Sequence, residues 1–178
     1  MPKAYFNLFF AAMSVLVTSI SLSGCGFHLS NQTDIPFSSI YIESNGGAVA
    51  NVLRQMIILG GHPEKLAKSP AKSERILQIL NESGQQLILA ITGAGLVSEY
   101  QLQYQVEYQL LTANGKVVIP PSKIVLNRDM SFNPNQPYAY GGEEDFLNRD
   151  MQTDAAHQIL RRISMPQKTP VSPAPATE

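Results

Sequence analysis

The sequence predicts one α+β domain in which two helices pack on one face of a roughly four-stranded mixed or antiparallel sheet. Residues 99–111 alternate between apolar and polar side chains, as a half-buried strand does, and two other stretches repeat apolar residues at helical spacing. At 178 residues, 44% of them hydrophobic, the chain can build one domain with a real core but not two ordinary ones.

The first 21 residues have the pattern of a secretory signal. Lys3 supplies the positive charge, and the apolar run from Leu8 to Ile20 follows it. This run is shorter than the roughly 20 apolar residues that a membrane span needs. Residues 22–25, Leu-Ser-Gly-Cys, then resemble the bacterial lipoprotein box. We therefore expect residues 1–24 to be a lipoprotein signal peptide.

The resemblance to a lipoprotein box implies that Cys25 carries a covalent diacylglycerol and that its new amino group carries an acyl chain. A lone cysteine is otherwise most often a small buried residue, but a position directly after an apolar signal segment favours lipidation. Two or more acyl chains anchor a protein stably. Gly26 follows where an aspartate tends to retain such lipoproteins in the inner membrane, so the resemblance favours the outer membrane.

Composition excludes several classes of protein. Without Lys3 the chain carries 12 basic and 14 acidic residues, a balance that argues against a nucleic-acid partner. A single cysteine excludes an intramolecular disulfide and a cysteine-rich zinc site.

The mature chain begins with residues 25–36, which we interpret as a lipidated tether to a single domain over residues 37–164. Ser38 to Ser44 reads as a first strand. Ala48 to Leu59 reads as a helix, because its apolar residues fall at helical spacing and two glycines follow. These apolar residues are Val49, Val52, Leu53, Met56 and Ile57.

The middle of the chain predicts a meander. Arg75 to Leu80 and Gln86 to Ile91 form either one long bent strand or a hairpin. Gly93 and Gly95 then mark a turn into the alternating strand, and Asn114-Gly115 marks the turn out of it. The return strand, 116–132, contains Pro120-Pro121, which predicts an edge position or a bulge.

The alternating strand, Glu99 to Leu111, has one apolar and one polar face. The apolar residues gain on the order of 10 kcal/mol gross on burial, so the helices should cover them. The polar face is almost uncharged and is a candidate surface for a partner. The apolar face carries Tyr100, Leu102, Tyr104, Val106, Tyr108 and Leu110, and the polar face carries Gln101, Gln103, Gln105, Glu107 and Gln109.

The last element is a helix over residues 143–163, in which an apolar residue recurs every fourth position. The acidic residues 143–145 at its start and Arg161 and Arg162 at its end suit the helix dipole. Residues 165–178 are rich in proline and predict a disordered tail. The repeating residues are Leu147, Met151, Ala155, Ile159 and Ile163, with Phe146, Ala156 and Leu160 widening the apolar stripe.

No catalytic constellation emerges from the sequence, so we do not expect an enzyme, a cofactor or a metal site. His28 lies on the tether, His62 after the first helix and His157 on the polar side of the last helix. Only Asp154 offers His157 a helical co-ligand, which is too few for a metal site. No serine stands in a Gly-x-Ser-x-Gly motif.

Several motifs, taken in order along the chain, resemble the LPS-assembly lipoprotein family LptE, formerly RlpB. The resemblance implies a non-enzymatic outer-membrane lipoprotein that plugs the β-barrel of LptD on the periplasmic side, assists assembly of that barrel, binds lipopolysaccharide and takes part in placing it in the outer leaflet. The motifs are Cys25-Gly26-Phe27-His28-Leu29, Ser98-Glu99-Tyr100-Gln101-Leu102, Arg128 with Asn133-Pro134, Glu143-Glu144, and Gln158-Ile159-Leu160-Arg161-Arg162-Ile163.

Members of this family use two basic residues toward the lipid A phosphates. The first has no counterpart here, since Thr92 to Val97 contains no lysine or arginine. For the second, Lys123 and Arg128 are the candidates, and the alternative for each is an ordinary solvated cation that protects a strand edge. Tyr138 and Tyr140, in a predicted loop over residues 134–142, are interface-type residues that could equally pack on their own domain.

A second interpretation is a free outer-membrane lipoprotein that binds an envelope lipid or another ligand without a barrel partner. Depletion would separate the two, since loss of surface lipopolysaccharide would favour the barrel plug and normal surface levels would exclude it.

Overall fold

The computed structural model describes residues 35–133 and 137–165, and the side chains of the second range from Tyr140 onward. The predicted signal peptide, the lipid box, most of the tether and the tail lie outside these residues. The elements are β1 (Ile40–Ser44), α1 (Ala48–Leu59), β2 (Arg75–Ile91), β3 (Val97–Thr112), β4 (Val117–Ser131) and α2 (Pro137–Ser164), with single-turn 3₁₀ helices at Pro63–Lys65 and Pro70–Lys72.

The four strands form one mixed sheet in the order β1-β2-β3-β4. β1 pairs in parallel with the first part of β2, and α1 makes the crossover that a parallel pair requires. β2, β3 and β4 follow as antiparallel neighbours. The predicted α+β fold, with two helices and a four-stranded mixed sheet, is confirmed.

The sequence predicts either one long bent strand or a hairpin over residues 75–91. The structure has a single strand of 17 residues, β2. A register shift between Ile79 and Asn81 bends it at Leu80. The shift reverses which side chains face the helices. Ile79 lies opposite Tyr108 on the helix side, whereas after the shift Glu82 takes that side opposite Val106.

The proline pair lies where the sequence predicts. β4 is a strand at the edge of the sheet, and its register with β3 shifts between the pairs Tyr108–Ser122 and Leu110–Ile119. Pro120 and Pro121 occupy this bulge, where a missing backbone N–H breaks no ladder hydrogen bond.

One face of the sheet packs against both helices and forms the core. On β3 the predicted apolar side chains are buried, apart from Tyr100, which is half-buried. The predicted apolar stripe of α2 is also buried, except that Leu147 is partly exposed and Phe146 is 62% exposed. The buried residues on the helices are Val49, Ala50, Leu53, Ile57, Met151, Ala155, Ala156, Ile159, Leu160 and Ile163. Neither helix in the described part of the chain is long and apolar enough to cross a bilayer.

The start of the domain differs slightly from the predicted strand over residues 38–44. β1 begins at Ile40. Before it, the N–H and Oγ of Ser38 donate to the Glu74 carboxylate, at 2.8 and 3.0 Å. The backbone hydrogen bond from Ser38 lowers the pKa of Glu74. Ile35, assigned by the sequence to the tether, is buried in the core. The packed chain therefore begins before β1.

α2 begins at Pro137, six residues earlier than predicted, so the loop expected over residues 134–142 is wrong from 137 onward. Proline suits a first helical turn, because its missing N–H has no partner there anyway. Consequently Glu143, Glu144 and Asp145 lie beyond the first turn, and the predicted dipole contact at that end is absent. Arg161 and Arg162 do lie in the last turn.

Glu82 joins α1 to the sheet. Gly47 stands at the N-cap of α1 and has no side chain to cap it, so the first N–H groups turn to Glu82. Ala48 N–H donates to Oε1 at 2.9 Å and Val49 N–H to Oε2 at 3.3 Å, while the Tyr104 hydroxyl donates to Oε1 at 2.6 Å. A Cβ on residue 47 would lie 1.9 Å from Glu82 Oε2, so glycine makes this approach possible.

Burial, and secondarily the hydrogen bond to Glu82, raises the pKa of Tyr104 well above its ordinary value. Tyr104 therefore stays a hydrogen-bond donor at any physiological pH. Since the carboxylate accepts bonds from β3 and from α1, it ties the helix to the centre of the sheet.

We expect Glu82→Ala to lower the free energy of unfolding by about 2 kcal/mol, because it leaves the helix N–H groups and the Tyr104 hydroxyl without their acceptor. Urea unfolding followed by circular dichroism measures the loss. Glu43→Ala is the matched control, since this carboxylate accepts one bond, from Gln78 at 2.6 Å, and should change stability by less than about 0.5 kcal/mol. Equal effects of the two substitutions would contradict the capping role.

Candidate partner-binding surface

The face of the sheet opposite the helices, called the outer face below, carries the polar side chains of β3. These side chains are Gln101, Gln103, Gln105, Glu107 and Gln109, all of them half-exposed. They alternate with the buried residues of the same strand, so the strand that builds the core also builds this surface. Within the described residues, neither helix covers the outer face.

Hydrogen bonds between side chains connect this face across strands. Gln85 Nε2 on β2 and Gln105 Nε2 donate to Gln103 Oε1, at 2.5 and 2.7 Å. Gln103 Nε2 in turn donates to Asn127 Oδ1 on β4 at 3.1 Å. Each such bond contributes about 1 kcal/mol net at most. Their main effect is to fix the direction in which each amide presents its remaining donor or acceptor.

The same pattern continues at both ends of the face. Toward β1, Gln109 Nε2 donates to Gln78 Oε1 at 2.6 Å, and Gln78 Nε2 donates to Glu43 Oε2 at 2.6 Å. Toward β4, Gln101 Nε2 donates to Asp129 Oδ1 at 3.0 Å. We call this set the amide ladder, consisting of Glu43, Gln78, Gln85, Gln101, Gln103, Gln105, Gln109, Asn127 and Asp129.

Lys123 and Arg128, the two predicted phosphate contacts, lie on opposite faces of the sheet. Lys123 is exposed on the outer face and stands opposite Glu107 in the register. Arg128 stands opposite the buried Leu102 and therefore faces the helices. The structure does not bring the two cations together into one site.

Arg128 is held by two carboxylates of α2. Its Nε and Nη2 donate to Asp150 Oδ2 at 3.0 and 2.8 Å, and Nη2 also donates to Asp154. The hydrogen bonds to Asp150 and Asp154 raise the pKa of Arg128 further above its already high ordinary value. Asp150 and Asp154 are spaced four residues apart on one side of α2, a spacing that could have suggested a shared cation, although the sequence does not identify Arg128 as that cation.

Tyr140 packs within its own domain. Its ring centroid lies 5.7 Å from that of Tyr100 and 5.0 Å from that of Phe132, and Gln86 Nε2 donates to its hydroxyl. Burial raises the pKa of Tyr140. These contacts fasten the first turns of α2 to the end of the sheet. The side chain of Tyr138 lies outside the described residues.

A polar cleft of about 520 Å³ lies between β2 and the first half of α2. Glu82 and Gln86 line its sheet side, and Glu144, Arg149 and Gln152 line its helix side.

In the described ranges, 35–133 and 137–165, no three histidine, cysteine, aspartate or glutamate side chains are placed to hold a metal ion.

Comparison with known proteins gives one family. The model of the family LptE, described as lipopolysaccharide-assembly, matches residues 37–163. The chain is 26% identical over 155 residues to the LPS-assembly lipoprotein LptE of Photorhabdus laumondii, covering 85% of this chain and 81% of that protein. It is 28% identical over 156 residues to the LptE of Yersinia enterocolitica, covering 85% and 72%.

Solved structures agree with the fold. The solution structure of an uncharacterized lipoprotein B from Nitrosomonas europaea superposes with a TM-score of 0.68 at 33% identity, covering 79% of this chain and 91% of that one. The crystal structure of the rare lipoprotein B from Shewanella oneidensis has a TM-score of 0.61 at 24% identity, covering 70% and 92%.

We expect Arg128→Gln to lower the free energy of unfolding by about 1 kcal/mol, because it removes a half-exposed ion pair with two carboxylates and leaves both without their cation. Lys123→Gln is the matched control and should change stability by less than about 0.5 kcal/mol, since this side chain is exposed. Thermal unfolding measures both. A larger loss for Lys123→Gln than for Arg128→Gln would refute the structural role of Arg128.

Proposed function

Given that the chain belongs to the lipopolysaccharide-assembly family LptE, we propose that it is a non-enzymatic outer-membrane lipoprotein that plugs a β-barrel of the LptD type. Membership of the family supports a role in lipopolysaccharide assembly in the cell envelope. In the proposal, the chain is anchored on the periplasmic side through Cys25, assists assembly of the barrel and takes part in inserting lipopolysaccharide into the outer leaflet.

The observation that carries the plug proposal is the chemistry of the outer face. The lumen of a large outer-membrane barrel is polar and hydrated, so a plug needs a surface that exchanges hydrogen bonds with it. A fully charged face would cost several kcal/mol per ion to desolvate without a matched partner. The four glutamines among the five outward-facing residues of β3 avoid that cost, because each amide carries a donor and an acceptor but no charge.

The amide ladder also lowers the cost of binding. A free glutamine side chain loses roughly 0.5 to 1.5 kcal/mol of conformational entropy when an interface immobilises it. Gln103 is already held by three cross-strand and neighbouring bonds, and Gln109 and Gln78 are joined in the same way. A barrel wall would therefore meet a surface that is largely ordered in advance.

For lipopolysaccharide contact, Lys123 is the stronger candidate of the two cations. It is exposed, and no carboxylate lies within salt-bridge distance of it among the described residues. Lipid A phosphates are anions that would favour such a cation, although a strong phosphate site needs several convergent donors. Arg128 is already paired with Asp150 and Asp154 and would have to release them. We therefore assign Arg128 a structural role and not a phosphate contact.

The anchor part of the proposal rests on residues 22–25, which lie outside the described residues. Acylation at Cys25 would place the tether at the membrane, and the domain that begins by Ile35 would follow about ten residues later. Ten extended residues span at most about 35 Å, so the domain would remain close to the bilayer.

We expect Gln103→Leu combined with Gln105→Leu to reduce recovery of the barrel with the affinity-tagged chain by about tenfold, because loss of the amide donors leaves polar groups of the lumen unpaired at a cost of roughly 1 kcal/mol or more. Both side chains are half-exposed, so the domain should still fold. Quantitative mass spectrometry of the captured material measures recovery.

The matched control replaces two glutamines on the helices, Gln55→Leu and Gln158→Leu, which adds the same apolar surface away from the outer face. It should recover the barrel as the unmodified chain does. If the outer-face variant binds the barrel normally while remaining folded, the outer face is only a solvent-exposed surface.

For the anchor, we expect Cys25→Ser to abolish labelling by radioactive palmitate, because the serine hydroxyl does not form the thioether. Immunoprecipitation of the chain from labelled cells measures the palmitate that it carries. A serine variant that still incorporates palmitate would show that another residue carries the acyl chains.

A further inference from the structure

Charged side chains are distributed unevenly along the sheet. β2 runs from Arg75 to Ile91, a length of about 50 Å, and we call the two ends of the domain that it joins the basal end, at Arg75, and the distal end, at Ile91. The basal end consists of residues 35–41, 60–75, 108–122 and 157–165, and the distal end consists of residues 80–107, 123–133 and 140–156.

The basal end is positive and the distal end is negative. Among the described residues, the basal end has seven lysine and arginine side chains against two carboxylates, whereas the distal end has three against nine. A formal net charge of −1 for the whole chain therefore conceals two oppositely charged ends. Five of the basal cations are exposed, namely Lys68, Lys72, Lys116, Arg161 and Arg162.

The fold collects these cations from connections that are far apart in the sequence. Lys68 and Lys72 lie between α1 and β2, in a segment that Ala67 N–H fastens to the Ile40 carbonyl at the start of β1, at 2.9 Å. Lys116 lies in the turn after β3, where its carbonyl accepts a hydrogen bond from the last residue of that strand, at 2.9 Å. That residue pairs with the first residue of β2, so the turn lies at the same end of the sheet.

The end of α2 adds the two arginines. Arg161 and Arg162 line a cavity of about 310 Å³ together with Tyr108, which lies near the basal end of β3. Both arginines also suit the dipole of the helix. The three lysines have no such local explanation, and no carboxylate of the described residues lies within salt-bridge distance of them.

The tether enters the domain at this same end. Lys65 Nζ donates to the Ile35 carbonyl at 2.7 Å, and Arg75 Cζ lies 6.0 Å from the centre of the Phe37 ring. Ile35 is buried, so the first packed residues are held against the basal end. Cys25 precedes Ile35 by ten residues, which span at most about 35 Å.

We propose that the basal end lies on the anionic phospholipid surface of the bilayer that holds the acyl chains of Cys25, with the distal end pointing away from it. This inference rests on the anchor part of the proposed function. Basic side chains beside a lipid anchor strengthen its attachment to an anionic membrane. Phospholipid phosphates attract the basal cations and repel the distal carboxylates, so one surface both binds the domain and orients it.

Two matched labels test this orientation. In the full chain, purified in mild detergent without a barrel, Ala71→Cys carries a fluorophore at the basal end and Ala94→Cys carries one at the distal end, and both residues are exposed. An acylated Cys25 has no thiol to take the label. The protein is returned to vesicles of phosphatidylcholine and phosphatidylglycerol that carry an energy acceptor on their headgroups.

We expect energy transfer from the label on residue 71 to be several-fold more efficient than transfer from the label on residue 94. In vesicles of phosphatidylcholine alone the difference should fall, because the tether then holds a domain with no preferred orientation. Raising the salt from about 0.1 to 1 M should act in the same direction, since it shortens the Debye length from about 10 to 3 Å.

Neutralising the three lysines tests the charges themselves. Each lysine near an anionic surface is worth about fivefold in affinity, or roughly 1 kcal/mol. Lys68→Gln, Lys72→Gln and Lys116→Gln combined should therefore reduce the difference to its value in neutral vesicles. The matched control, Arg149→Glu with Asn81→Asp, lowers the net charge by the same amount at the distal end and should keep the full difference.

The orientation proposal is overturned if the two labels transfer energy equally in the anionic vesicles, or if the difference survives both the triple substitution and high salt. It is also overturned if the triple substitution leaves energy transfer unchanged but reduces recovery of the barrel, which would assign the lysines to an acidic protein surface. A chain that fails to float with either kind of vesicle contradicts the anchor, whereas a chain that floats without orientation contradicts this proposal alone.

Discussion

The two-residue period of β3 determines both the core and the outer face of the sheet. A single strand with both neighbours in the sheet sends Leu102, Val106 and Leu110 into the core and sends glutamines to the opposite face. A register slip of one residue would expose the apolar set and bury the amides together. The core and the candidate binding surface are therefore two sides of one pattern, and neither can change without the other.

The bulge at Leu80, where the register of β2 with β3 shifts, positions polar contacts to both helices. By reversing the alternation of β2 where β1 ends, it places Glu82 beneath the start of α1 and Gln86 beneath Tyr140. One irregularity thus supplies the carboxylate that caps the first helix and a polar contact for the second. It also carries the strand past the end of β1, where none of the other described strands except β3 pairs with it.

Sequence periodicity predicted the fold and most of the buried face, because the strand and helix patterns in β3, α1 and α2 are strong and local. It could not predict the contacts that join distant elements. The pairing of Arg128 with Asp150 and Asp154 and the capping by Glu82 depend on register, which no local pattern records. The early start of α2 was missed because Gly141 and Gly142, each unfavourable by about 1 kcal/mol in a helix, indicate a loop.

Tertiary contacts explain why α2 begins at Pro137 despite the preference of Gly141 and Gly142 for a loop. The ring contacts of Tyr140 with Tyr100 and Phe132 are worth roughly 0.5 to 1.5 kcal/mol each beyond burial, which is comparable to the cost of the two glycines. The candidate surface was accessible to sequence reasoning only where it follows the strand period. The strand period identifies the glutamines of the outer face, whereas the separation of Lys123 from Arg128 depends on the pairing of β4 with β3.

Native mass spectrometry of the lipoprotein, extracted from envelopes in mild detergent, would test whether this chain works inside a barrel. We expect a complex of one copy of this chain with one LptD-type β-barrel. Recovery of the chain without any barrel under these conditions would contradict it and would favour a free lipoprotein that binds its ligand alone.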